Sequence, residues 1–151
     1  NLYIFKVNKI MREIKSRFWD KVNNKMIIDT AFIKSGSGAG DWILFLDQQV
    51  KCDEGLLFPN SAVRSYQSYE EMEYTGLTDK NKNEIYEDDW CTAKFRTKDG
   101  IQVVQGRIIM DEFMWCIDCI GCVGDDIFSI NRLHDFEIIG NIYENPELLQ
   151  L

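Results

Sequence analysis

Apolar and polar positions alternate along most of this chain, and the three- and four-residue return of a helix is rare. In REIKSRFW, residues 12–19, Ile14 and Phe18 share one side of an extended strand, while Lys15, Arg17 and Trp19 share the other. Asp20 to Lys25, DKVNNK, supplies turn chemistry, with Asn23 and Asn24 tolerant of left-handed backbone. Met26, Ile27 and Ile28 then resume as a strand, so a β-hairpin is predicted here. Further on, WILFL from Trp42 reads as a strand, and Pro59-Asn60-Ser61 marks a turn. The pattern changes once. Tyr66, Tyr69 and Met72 recur at spacings of three, which predicts one helix over 62–73 with Ser61 as its N-cap.

From residue 84 to 143 the signal is stronger. Trp90 to Phe95 reads as a strand, and Lys98-Asp99-Gly100 is a hairpin turn. Ile101 to Met110 follows, with its apolar set moving from Ile101 and Val103 to Ile108 and Met110, which predicts a bulge or bend at Gly106. After a turn at Asp111-Glu112, Phe113, Trp115, Ile117 and Cys119 form one inward side. Gly124-Asp125-Asp126 turns the chain before Ile127 to Ile130, Asn131 to Asp135 connect, and Phe136, Ile138, Gly140 and Ile142 alternate along a last strand. Asn145-Pro146-Glu147 starts a single helical turn.

The fold class is therefore mainly β with little helix, in small antiparallel modules. Five short strands with a tight turn before the last predict a C-terminal, SH3-like, partly open barrel. The domain organisation that follows is an N-terminal β-rich module over 11–73 and the barrel module over 74–151. Residues 1–10 read as a scar, read-through or disordered leader, because strongly patterned sequence begins at Met11.

Composition supports a globular chain. Of 151 residues, 45% are hydrophobic and 28% charged, without the apolar depletion of disordered segments. At this length folding buries roughly two thirds of the extended-chain surface, so a core needs no metal or disulfide. No run approaches a membrane span, and the five cysteines without a secretory signal read as reduced thiols of a cytosol. Net charge is −8 and uneven: Gly76 to Leu151 holds fifteen acidic and seven basic residues, against ten of each before it. That half would repel a phosphate backbone. The first 25 residues run the other way, with seven Lys or Arg against Glu13 and Asp20.

Several groups could carry chemistry. Ser35 to Gly40 is glycine-rich but lacks P-loop spacing, so it reads as a loop or hairpin tip rather than a phosphate cradle. Cys116, Cys119 and Cys122 have spacings that can ligate zinc or an iron–sulfur cluster, with Cys91, Cys52 or His134 as a fourth ligand. In a straight strand Cys119 points away from the other two, and buried cysteine packs as a small hydrophobe, so core packing is the preferred reading. His134 is the only histidine; Asp135 adjoins it, yet no serine or cysteine is marked as its target. Glu87, Asp88, Asp89, Asp125 and Asp126 crowd turns without the spaced oxygen ligands of a calcium loop. Lys15, Arg17, Trp19 and Lys21 interleave cations with an aromatic, the pattern of a nucleic-acid surface. No catalytic residue and no cofactor are assigned.

Three blocks carry a resemblance. YTGLTDKNKNEIYEDDW from Tyr74, EIIGNIYENPELL from Glu137, and MREIKSRFWDKVNNKMI from Met11 together resemble the YopX family of bacteriophage and prophage proteins. The resemblance implies a phage or prophage origin and a bacterial cytoplasmic location, and supplies no catalytic residues. Within these blocks Tyr74, Gly76, Asp79, Glu84, Tyr86, Glu87, Asp89, Gly140, Asn141, Tyr143 and Pro146 read as determinants of turns and of the barrel. Where the family usually has Glu-Gly-Asp, this chain has Glu87-Asp88-Asp89. If the glycine occupies left-handed backbone, aspartate is a tolerable substitute, which favours a structural role for the motif.

The leading functional expectation is a non-enzymatic accessory protein whose β module binds an unidentified protein or a second copy of itself. An acidic surface suits a basic partner. The alternatives are a nucleic-acid-binding protein using Lys15, Arg17, Trp19 and Lys21, and a cysteine-ligated metalloprotein. No membrane contact is expected.

Overall fold

The computed structural model describes residues 15–28, 32–34, 42–45, 50–52, 55–57, 64–119 and 127–150. Strand β1 (Ser16–Asp20) turns into β2 (Lys25–Ile27), with Phe18 opposite Ile27 and Asp20 opposite Lys25. Asp20 makes that turn: its carboxylate accepts the backbone N–H groups of Val22 and Asn23, each at 3.0 Å, and the Asn23 amide at 2.7 Å. Asn24 takes a φ of 50°, as the turn chemistry predicts.

Next come β3 (Phe32–Lys34), β4 (Trp42–Phe45), β5 (Val50–Cys52), β6 (Gly55–Leu57) and β7 (Arg64–Ser65). A small sheet has the order β3-β4-β7, and β5 pairs with β6 as a hairpin. Strand β8 (Tyr69–Thr78) then runs antiparallel to β1, and β9 (Glu84–Tyr86) returns beside it, giving a four-stranded sheet β2-β1-β8-β9. Phe18, Ile43, Phe45 and Tyr69 form a buried cluster, with Phe45 edge-to-face against both Phe18 and Tyr69 at 5.2 Å.

The helix predicted over 62–73 does not form. Among the described residues of that span, Arg64–Ser65 is a strand, Tyr66–Ser68 is one 3₁₀ turn, and β8 begins at Tyr69. The reason is two-sided burial. Tyr69 packs with Phe18 on one face of the sheet, while Met72, opposite Arg17, is buried on the other. Apolar residues three apart thus mark a strand covered on both faces. Gly76 lies in β8 with φ +86° and open space around it, so its backbone conformation is what requires glycine.

The second main sheet is a meander of β10 (Asp89–Thr97), β11 (Gly100–Asp111), β12 (Met114–Asp118) and β13 (Ile127–Ser129). A 3₁₀ turn at Ile130–Arg132 leads to β14 (His134–Asn141), which pairs with β10. The order β13-β12-β11-β10-β14 is a half-barrel whose ladder ends at β13 and β14. Its concave side holds Ile85, Cys91, Val104, Ile108, Trp115, Ile117 and Phe136. Pro146–Gln150 forms a final short 3₁₀ turn.

Two expectations for this sheet are corrected. There is no bulge at Gly106: β10 and β11 pair without a register shift from Trp90–Arg107 to Thr97–Gly100. Strand β11 keeps one inward face, Val104, Gly106 and Ile108, and leaves Ile101 and Val103 in solvent at 58% and 64% exposure. Glycine at 106 serves close packing, because a Cβ there would run into the Asp118 carbonyl and stand 2.8 Å from Ile117 Cγ2. Second, Phe113 is not inward. It sits in the turn, fully exposed, while Trp115, Ile117 and Cys119 are buried.

The free edge of β14 is covered by the loop between β8 and β9. Lys80 N–H donates to Phe136 O at 2.8 Å, and Asp79 Oδ2 accepts Ile138 N–H at 3.4 Å. Asp79 Oδ1 also accepts the backbone N–H groups of Asn81 and Asn83, at 2.8 and 2.9 Å. One carboxylate therefore shapes the loop and blunts a sheet edge. No helix among the described residues is long and apolar enough to cross a membrane.

Candidate functional site

Between the two main sheets, the turn from β9 to β10 carries Glu87 and Asp88, and Asp89 opens β10. Asp88 has φ +66°, so it occupies the left-handed region. Its N–H donates to Ile108 O at 2.9 Å and its carbonyl accepts Ile142 N–H at 3.2 Å. The carboxylate accepts Arg107 Nε at 2.6 Å and the Tyr143 hydroxyl at 2.9 Å. Asp89 takes Arg17 Nη2 at 2.6 Å on one oxygen and Tyr86 N–H at 2.8 Å on the other. Two adjacent aspartates thus hold two arginines, one from each sheet.

Burial governs the protons here. Burial holds the Asp89 carboxyl above its ordinary range, although Arg17 pulls it down. Glu87 is raised by burial and then by the Asp88 charge. The Tyr86 phenol is pushed up to about 12 by burial and by its hydrogen bond to Glu84. Burial, then the Asp88 charge, raises Tyr143 as well. Tyr74 packs on Tyr86 with ring centroids 5.4 Å apart. At the far end of β14, Asn141 Oδ1 accepts the N–H groups of Tyr143 and Glu144, and a Cβ on Gly140 would stand 2.5 Å from Asn145 Oδ1. Pro146 opens the closing 3₁₀ turn. These motif residues build turns and seams.

The basic, aromatic residues near the start lie on β1 or beside it. Lys15 pairs with Glu84 at 2.7 Å, Arg17 with Asp89, and Lys21 with Glu70 at 2.9 Å. Trp19 stacks on Tyr143 at 5.8 Å. Each has an internal partner, so the strip presents little uncompensated positive charge.

Cys116 is a buried free thiol on β12, 3.7 Å from Met114 O, and burial raises its pKa. Cys119 is disulfide-bonded, which corrects the reading of all five cysteines as reduced thiols. Cys122, Asp125 and Asp126 lie outside the described residues, as does the glycine-rich segment 35–40. Cys52 ends β5, and Cys91 is a buried free thiol on β10 whose pKa burial raises. Among the described residues no three His, Cys, Asp or Glu side chains are grouped to hold a metal. His134 Nδ1 is 3.9 Å from Asp135 Oδ2, and its partner across the ladder is Lys94 rather than a nucleophile.

An open cleft of about 290 Å³ lies over the β10–β14 seam, floored by Thr92, Ala93 and Val103. Lys80–Glu137 at 2.7 Å and Lys94–Asp135 at 3.2 Å border it, so its charges compensate one another.

The feature that sequence reasoning missed is the β11–β12 tip. Asp111 pairs with Met114, leaving Glu112 and Phe113 as a two-residue loop with φ of +42° and +69°. Both central residues in left-handed backbone define the hairpin turn that favours Asn-Gly. Phe113 is fully exposed, with Met110 and Met114 partly exposed beside it. The signal was available: a bulky residue stands where the turn asks for glycine.

Solved structures that share this fold include two bacterial proteins. Protein EF1440 from Enterococcus faecalis is 24% identical with a TM-score of 0.61, covering 92% of this chain and 99% of that one. Protein yopX from Bacillus subtilis is 16% identical with a TM-score of 0.54, covering 91% and 98%. No curated protein matches the chain. The family model described as YopX protein matches residues 15–150, a span that takes in both main sheets and the acidic turn between them, and the chain belongs to the YopX family.

Proposed function

We propose that the protein is a non-enzymatic interaction module of phage or prophage origin that works in the bacterial cytoplasm by contact with protein. Phe113 carries this reading. A bulky aromatic at φ +69° pays a conformational cost, and full exposure leaves it no packing in return. Exposed aromatics on rigid elements are the anchors from which interfaces draw most of their affinity. Met110 and Met114 widen the apolar tip, and Asp111 and Glu112 give it an acidic rim. The phage setting is supported by the three sequence blocks that resemble the YopX family.

The test is a photo-reactive residue at position 113, irradiated in bacterial cells that express the chain. A conjugate of defined mass that is absent with the same group at exposed Val22 supports the proposal. Equal labelling at both positions, or none at 113, overturns it.

A further inference from the structure

The two ends of β11 carry opposite chemistry. Residues 101, 103, 109 and 111 share the outer side of the strand, by its period of two. At one end, Ile101 and Val103 are exposed, and their cross-strand partners are Arg96 and Lys94. Lys98 and Asp99 stand in the adjoining turn. At the other end, Asp111 faces Met114 across the ladder, and Glu112 and Phe113 form the tip. Lys94 is engaged by Asp135. Arg96, Lys98, Asp111 and Glu112 enter no ion pair among the described residues.

We propose that the partner of the Phe113 tip is a second copy of this chain. This rests on reading the tip as a contact surface. The acidic, aromatic tip of one copy seats on the basic, apolar strip of another: Phe113 and Met114 against Ile101 and Val103, Asp111 and Glu112 against Arg96 and Lys98. The contact is intermolecular, because ten residues of extended strand hold the two ends about 34 Å apart. Charge selects the orientation. With a net charge of −8, copies repel in most approaches, and the tip-to-strip approach is one that brings unlike local charges together. The strip also answers the tip in kind, since Ile101 lies opposite Arg96 with Lys98 in the adjoining turn, as Phe113 lies beside Asp111 and Glu112.

Sedimentation velocity of the full chain over a range of concentrations tests this. The expected result is concentration-dependent association that weakens with added salt. Arg96→Glu with Lys98→Glu, and separately Asp111→Lys with Glu112→Lys, should each weaken self-association at least about tenfold. An equimolar mixture of the two variants should associate again, because each then offers what the other lacks. Unchanged thermal unfolding shows that both variants fold, and Phe113→Ala should lose association without loss of stability. A chain that stays monomeric, association indifferent to the charge reversals, or a mixture that fails to recover would each overturn the proposal. If position 113 then cross-links to a different protein, the interaction function stands and the self-partner falls; if it cross-links to nothing, both fall.

Discussion

Arg17 on β1 and Asp89 at the start of β10 form an ion pair of 2.6 Å that ties the two main sheets together, with side chains only 11% and 1% exposed. The guanidinium does more than neutralise. Its Nε donates to Met72 Sδ at 3.4 Å, and its Cζ lies over the Tyr86 ring, 4.7 Å from the centre. Removing one partner of such a pair leaves the other buried and charged. Arg17→Met should therefore cost about 3–5 kcal/mol in urea denaturation. Arg17→Lys should recover only part of that, because an ammonium cannot reproduce the planar contacts. A loss confined to nucleic-acid affinity, with stability intact, would show that Arg17 acts at the surface instead.

Asp88 gives a sharper comparison, because its backbone and its carboxylate pull in opposite directions. Its φ of +66° favours glycine, while its side chain accepts Arg107 and Tyr143. Asp88→Gly relieves the backbone cost and loses both bonds. Asp88→Ala loses the bonds and keeps a left-handed cost of about 1 kcal/mol. The alanine variant should be the less stable by about that amount in equilibrium unfolding. Equal stabilities would mean that the turn relaxes out of the left-handed region.

Much of the half-barrel was legible because alternation and turn residues coincide there. Lys98-Asp99-Gly100 marks the β10–β11 turn. The stretch read as a connector from Asn131 overlaps the 3₁₀ turn at Ile130–Arg132, although His134 and Asp135 already belong to β14. Strand β8 was misread because it is buried on both faces, so Tyr69 and Met72 mimic a helical stripe. The outer face of β11 was misread for the converse reason: Ile101 and Val103 are apolar, yet no described element covers them. The basic strip was legible as composition but not as pairing. Arg17 finds its carboxylate 72 residues away, Lys15 69 away and Lys21 49 away, separations that a local pattern does not carry.

Asp79 and Asp89 should give opposite contributions to the pH dependence of stability. Burial tends to raise the Asp79 carboxyl, but hydrogen bonds from Asn83, Ile138 and Asn81 outweigh it and hold the group below its ordinary value of 3.8. Its contribution is complete above the unfolded pKa and is lost as pH falls through the lower folded value. Asp89 is raised, so the folded chain keeps its proton more readily; that contribution is complete below 3.8 and is lost as pH rises through the folded value. Asp79→Ala should cost about 1–3 kcal/mol at neutral pH, since it orphans backbone donors. The same variant should lose less than the unaltered chain on acidification below 3.8. Parallel acid limbs for the two proteins, measured by denaturant titration at each pH, would remove Asp79 from the acid response.

The β11–β12 tip sets stability against contact. A two-residue loop with both φ values positive is best served by Asn-Gly, and this chain places Glu112-Phe113 there. Phe113 is fully exposed, so its removal leaves no cavity. Glu112→Asn with Phe113→Gly should therefore raise stability, by about 1 kcal/mol from relief of the left-handed backbone alone. The same variant removes the aromatic anchor and one of the two carboxylates beside it, so self-association should fall. Thermal melting and sedimentation on one preparation read both effects. A gain in stability with association unchanged would leave the tip as a poorly chosen turn, whereas opposite movement of the two quantities is the signature of a residue kept for contact at the expense of the fold.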